Sequence, residues 1–129
     1  MKRFLTTILI IISAIGCIYA GNGAGIAFSS DRHEFGNIRE KDGKATCEFR
    51  FVNNGDAPLV IISATASCGC TKPEYPKKPI APGDSASIKV SYNPKGRPGE
   101  FAKTIKVTTN AAKNKSVKLK ITGTVIPEK

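Results

Sequence analysis

The chain has 129 residues, of which 40% are apolar, 7% aromatic and 23% charged, enough for one modest domain and too few for two ordinary ones. Lys and Arg total 20 against 10 Asp and Glu, a formal net charge of +10 at pH 7, with one His, one Met and no Trp. A single imidazole leaves little material for acid-base catalysis, so most enzyme classes are disfavoured.

Lys2 and Arg3 precede the apolar stretch Phe4 to Gly16, the charged start and short greasy core of a secretory signal. The run falls short of the about 20 apolar residues a membrane-spanning helix needs. A cut after Ala20 divides the chain into a signal peptide (1–20), a small polar, flexible leader (21–25) and a domain (26–129); Ile18 stands where a smaller residue is preferred. The competing reading takes Ala14-Ile15-Gly16-Cys17 as a bacterial lipoprotein signal with Cys17 as the lipidated first residue. Both readings export the chain to an oxidising space, periplasmic or secreted in the first case and as an outer-membrane lipoprotein in the second. Loss of residues 1–20 leaves 18 basic against 10 acidic side chains, so the mature protein stays basic. Lys118 and Lys120 alternate along a strand and Lys113 and Lys115 dot a loop, the pattern of a solvated surface that also guards sheet edges. No aromatic-basic cluster or reading helix points to nucleic acid, and membrane contact is expected only through a lipid on Cys17.

Beyond the leader, period-2 alternation dominates. Cys47, Phe49 and Phe51 share one face of a strand and Thr46, Glu48 and Arg50 the other. Turn formers fill Asn53 to Pro58, and Leu59 to Ala64 resumes as a β-branched run, so the two segments are expected to be adjacent antiparallel strands. After the Pro82-Gly83-Asp84 turn, Ile88, Val90 and Tyr92 point inward; after Asn93 to Gly99, so do Phe101, Ile105 and Val107. Asn110 to Ser116 is a polar loop, followed by a strand with Val117, Leu119, Ile121 and Val125 inward. With edge segments near Ile26 to Phe28 and Phe35 to Ile38, about seven strands are expected, and no helical stripe appears after residue 20. The expected fold is all-β, an immunoglobulin-like Greek-key sandwich, with a small β-barrel as the alternative.

Phe35-Gly36-Asn37-Ile38, Phe49-Arg50-Phe51-Val52-Asn53-Asn54-Gly55, Pro58-Leu59-Val60-Ile61, Ser67-Cys68-Gly69-Cys70-Thr71, Ile80-Ala81-Pro82-Gly83 and Ile121-Thr122-Gly123-Thr124-Val125 occur in this order. The string resembles the bacterial exported family called domain of unknown function 1573 over about residues 26 to 126. The resemblance implies an immunoglobulin-like sandwich and supplies no activity. Cys47 fills a slot that is usually plainly apolar in the family.

Cys68-Gly69-Cys70 is the one dense chemical feature. In an extended segment the two Cα atoms would lie about 6.6 to 6.8 Å apart, the outer limit for a disulfide. Gly69 could adopt positive φ and bend the thiols together. A bridge across so tight a ring has the character of a redox-active bond; the structural alternatives are two unpaired thiols or a bridge from either to Cys47. Cys47, facing the core, is by default a small buried hydrophobe. As a dithiol, Cys68 and Cys70 suit Cu(I), whereas zinc would need about four ligands and His33, the lone imidazole, reads as a surface residue. Lys72 and Lys77 are the local cations that could favour a thiolate. No catalytic triad, carboxylate pair or phosphate loop is assembled. The function expected is a non-enzymatic binding or structural module of the bacterial envelope that engages a protein or glycan and carries no cofactor. The alternative is a periplasmic dithiol protein, a thiol redox partner or Cu(I) carrier, acting through Cys68-Gly69-Cys70.

Overall fold

Alternating burial builds each long strand. In β3 (Ala45–Val52) Cys47, Phe49 and Phe51 are buried while Thr46, Glu48 and Arg50 are exposed. The computed structural model describes residues 23–127; the signal peptide, its cut after Ala20 and the lipidation candidate Cys17 lie outside them. The remaining strands are β1 (Ala27–Phe28), β2 (Arg32–Arg39), β4 (Ile61–Ala66), β5 (Thr71–Glu74), β6 (Ser85–Tyr92), β7 (Gly99–Thr109) and β8 (Ser116–Ile126), with a short 3-10 turn at Glu40–Asp42. Two four-stranded sheets result, in the orders β1-β3-β6-β5 and β2-β8-β7-β4. Every pairing is antiparallel except β2 with β8.

The inner faces meet in one core. Phe49, Phe51, Ile88, Val90 and Tyr92 come from the first sheet, and Ile105, Val107, Leu119, Ile121 and Val125 from the second. Tyr92 of β6 stacks on Phe101 of β7, ring centroids 3.9 Å apart and planes 10° from parallel, so one aromatic pair joins the two sheets. Gly123 makes room for it: a Cβ there would lie 2.7 Å from Phe101 Cζ. This is the immunoglobulin-like sandwich expected from the sequence.

Three local expectations give way to tertiary constraints. The segments 46–51 and 59–64 are not neighbours: β3 is flanked by β1 and β6, while β4 pairs with β7 in the other sheet. The turn between them crosses the sandwich because the fully buried Asn53 side chain holds it there. Its Oδ1 accepts from the Gly25 and Gly55 N–H groups at 3.1 and 2.9 Å, and its Nδ2 donates to the Ala57 and Ile80 carbonyls at 2.8 and 2.9 Å. All four polar valences are met, which is what lets an amide sit in a core. Leu59 then makes an isolated bridge to Ile80 before β4 begins. The second difference is an eighth strand. β5 contains Pro73 and lacks apolar alternation, yet pairs with β6 at the sheet edge, where a missing N–H is tolerated.

The third concerns the leader, since Gly23 to Gly25 are fastened to the domain. Gly23 N donates to Asp56 Oδ1 at 2.9 Å, Ala112 N donates to the Ala24 carbonyl at 2.9 Å, and Ala24 is buried. Gly55 permits this close approach, because a Cβ on it would overlap the backbone of Gly23 to Gly25.

Candidate functional site

Cys68 and Cys70 lie in the turn that carries the chain from β4 in one sheet to β5 in the other, and they are joined by a disulfide with Cα atoms 5.3 Å apart. The turn closes through a Thr71 N–H donated to the Cys68 carbonyl at 3.2 Å, and Cys70 N–H points at Cys68 Sγ at 3.0 Å. Cys70 is buried and its carbonyl accepts from Asn93 N–H at 2.8 Å; Cys68 is half-buried and Gly69 exposed. Gly69 does not take a positive φ, and a Cβ on it would meet open space. The turn itself, rather than glycine's freedom, brings the cysteines together. A loop this short removes little disorder from the unfolded chain, about 1.6 kcal/mol by the loop-entropy relation. The bridge is therefore a weak staple.

The third cysteine stays apart in role. Cys47 is a buried free thiol whose pKa is pushed up from 9.0 to about 11, first by burial and then by the Glu48 carboxylate. It is a neutral core side chain at physiological pH. Lys77 Nζ sits 3.8 Å from the centre of the Tyr75 ring, and Lys72 is exposed opposite Ser91 on the outer face. His33 lies in β2, half-buried and edge-on to Phe35 at 4.6 Å. Among the described residues no three metal-ligating side chains gather.

The disulfide turn stands at the end of a more informative feature, the free edge of β4. Four strands border the sheets, and three are blunted against pairing. β1 has two residues; β2 carries Arg32, Glu34 and Arg39 and bends at a bulge between Glu34 and Asn37; β5 carries Lys72, Pro73 and Glu74. β4 reads Ile-Ile-Ser-Ala-Thr-Ala, without a charge or a proline, and pairs with β7 alone. Ile62, next to buried Ile61 at the register shift before Ser63, faces outward and is 57% exposed. Sequence reading missed this residue. The signal was present in the consecutive Ile61 and Ile62, because two neighbours in a regular strand cannot both face the core.

An all-β sandwich with exposed edges belongs to the immunoglobulin-like class. Residues 26–125 match the model of the family described as "Protein of unknown function (DUF1573)", and the chain belongs to that family. Among curated proteins no relative matches the sequence. Solved structures share the fold. A protein of unknown function from Porphyromonas gingivalis W83 superposes with a TM-score of 0.70 at 17% identity over 84% of this chain and 50% of that one. The PapD-like domain 7 of human CEP192 gives 0.63 at 8% identity, covering 95% and 100% of the two chains. The E. coli chaperone DraB gives 0.54 at 15% identity, covering 81% and 56%. This chain thus spans half the length of the P. gingivalis protein.

Proposed function

We propose that this chain is an exported, non-enzymatic binding module of the bacterial envelope that engages a protein partner by accepting a strand on its β4 edge. The observation that carries the reading is the edge from Ile61 to Ala66, free of charge and proline and in regular register from Ser63 to Ala66, in a molecule whose other borders are blunted by charge, proline or brevity. An extended segment pairing there would gain main-chain hydrogen bonds along the ladder, and Ile62 offers an apolar side chain beside them. The signal-like start supports export, and the absence of a catalytic set from the sequence supports binding.

The test is a photo-crosslinking residue placed at Ile62 in the native host, compared with one at exposed Thr46 on the opposite sheet. A discrete protein adduct is expected from position 62, absent from position 46 and lost when Thr65→Lys charges the edge. Equal adducts from both positions, or an adduct indifferent to Thr65→Lys, would overturn the reading. The N-terminal mass of the same protein tests export, either as Gly21 or as lipidated Cys17.

A second reading rests on the half-exposed Cys68 and its closure with Cys70: a thiol redox partner, or a Cu(I) carrier once the bridge is reduced to two thiolates. Cu(I) titration of the reduced protein and thiol exchange by the oxidised one, each abolished by Cys68→Ser, are its expected results.

A further inference from the structure

The two outer faces of the sandwich treat charge in opposite ways. On the β1-β3-β6-β5 sheet, exposed Lys89 has exposed Glu48 directly opposite on one neighbouring strand and exposed Glu74 on the other. On the β2-β8-β7-β4 sheet, Lys106 of β7 lies directly opposite Lys118 of β8, and in the next row Lys120 of β8 lies opposite Arg32 of β2. Residues so placed have Cβ atoms about 5 Å apart, where like charges destabilise a sheet, and successive rows on one face repeat about every 7 Å. Lys106, Lys118 and Arg32 are exposed and Lys120 is half-buried.

Among the described residues no carboxylate stands directly across a strand from any of the four. Glu34 shares a groove with Arg32 and Lys120, one row further along the sheet opposite Thr122. Hydroxyls flank the cluster: Thr65 is opposite Lys106, and Thr104 is opposite Lys120.

We propose that this face, centred on Arg32, Lys106, Lys118 and Lys120, docks an anionic polysaccharide. Charge complementarity selects an anionic partner, because four cations in two adjacent rows with no carboxylate directly across from them make a locally positive surface that attracts negative groups. The rest of the surface selects the polysaccharide. Cross-strand rows Thr65-Lys106-Lys118 and Thr104-Lys120-Arg32 hold no aromatic ring on which a nucleobase could stack. The exposed large apolar side chains, Ile62 and Ile126, sit at the β4 bulge and the last position of β8, outside the cationic rows, whereas lipid surfaces are held by a continuous apolar face. Threonine hydroxyls interleaved with cations at about 5 to 7 Å match a chain of sugars that carries its own hydroxyls and regularly spaced carboxylate or sulfate groups. The surface goes beyond the strand-addition reading and meets its edge only at Thr65.

The experiment measures binding of the full chain to polygalacturonate and dextran sulfate, with neutral dextran, phosphatidylglycerol vesicles and oligothymidylate as comparisons. Lys106→Ser with Lys118→Ser is expected to weaken binding to both anionic polysaccharides at least about tenfold, whereas Lys72→Ser with Lys89→Ser, the same change in net charge on the other face, changes it less than about twofold. The melting temperature of the first pair should hold or rise, because a like-charge contact is removed. Ile62→Lys, which charges the edge outside the cationic rows, should leave polysaccharide binding intact or tighter, so the two proposals fail separately. Equal weakening by both pairs would reduce the effect to net charge and overturn the proposal. So would vesicles or oligothymidylate binding as tightly as the polysaccharides, or no binding to either polysaccharide at low salt.

Discussion

The Asn53 amide ties three chain segments together, the start of the domain at Gly25, the turn at Gly55 and Ala57, and the segment before β6 at Ile80. Its backbone extends the knot, since Asn53 N–H donates to the Asp84 carbonyl at 2.9 Å and its carbonyl accepts from Gly83 N–H at 2.8 Å. Asn53→Ala would orphan two donors and two acceptors, each costing roughly 1 to 3 kcal/mol where water cannot enter. A loss of about 3 kcal/mol or more is expected, measured by urea unfolding with an unchanged slope. A loss below about 1 kcal/mol would mean that water replaces the amide at little cost. In sequence Asn53 looks like one more turn former beside Asn54, Gly55 and Asp56. Its burial was not legible, because the partners lie 2, 4, 27 and 28 residues away.

At the scale of elements, β4, the disulfide turn and β5 form one flank of the sandwich, and the bridge adds little to its stability. Cys68→Ser with Cys70→Ser should cost about 1 to 2 kcal/mol, the entropy of a very short loop, against the 2 to 5 kcal/mol of removing a buried Leu119 side chain. Thermal unfolding of the double variant beside Leu119→Ala checks the ranking. If the double variant loses more than Leu119→Ala, the bridge is a staple and the flank depends on it. The long strands were legible because one buried and one wet face impose strict alternation, as in β3 and β8. β5 was not, because four residues with a proline show no period, and its place is set by pairing with β6.

For the whole molecule, two core groups set the response to alkaline pH. Burial raises the Cys47 thiol to about 11 and also raises Tyr92, against a lowering from Arg97. A group whose pKa is higher folded than unfolded contributes stability that is full below its unfolded value and lost as pH rises through the folded one. Stability should therefore be level up to about pH 9, then fall towards pH 11 by about 2 to 3 kcal/mol for Cys47, with Tyr92 adding in the same direction. Urea unfolding at pH 8 and pH 11 checks this, and Cys47→Ala should show a smaller fall from a lower starting stability. An identical fall in both proteins would assign the pH dependence to other groups.

Sequence alone determined the all-β class, the inward-facing residues of β3, β6, β7 and β8, the family resemblance and the isolation of Cys68-Gly69-Cys70, because periodicity and short motifs are local properties of a chain. Tertiary structure alone decided that β3 and β4 belong to different sheets, that β2 runs parallel to β8, that Gly69 needs no special φ, and that Lys118 faces Lys106 while Lys120 faces Arg32. Strand pairing brings together residues 12 positions apart in one case and 88 in the other. No local pattern records which strand a face will border, so the charge of a surface exists only once the sheets have formed.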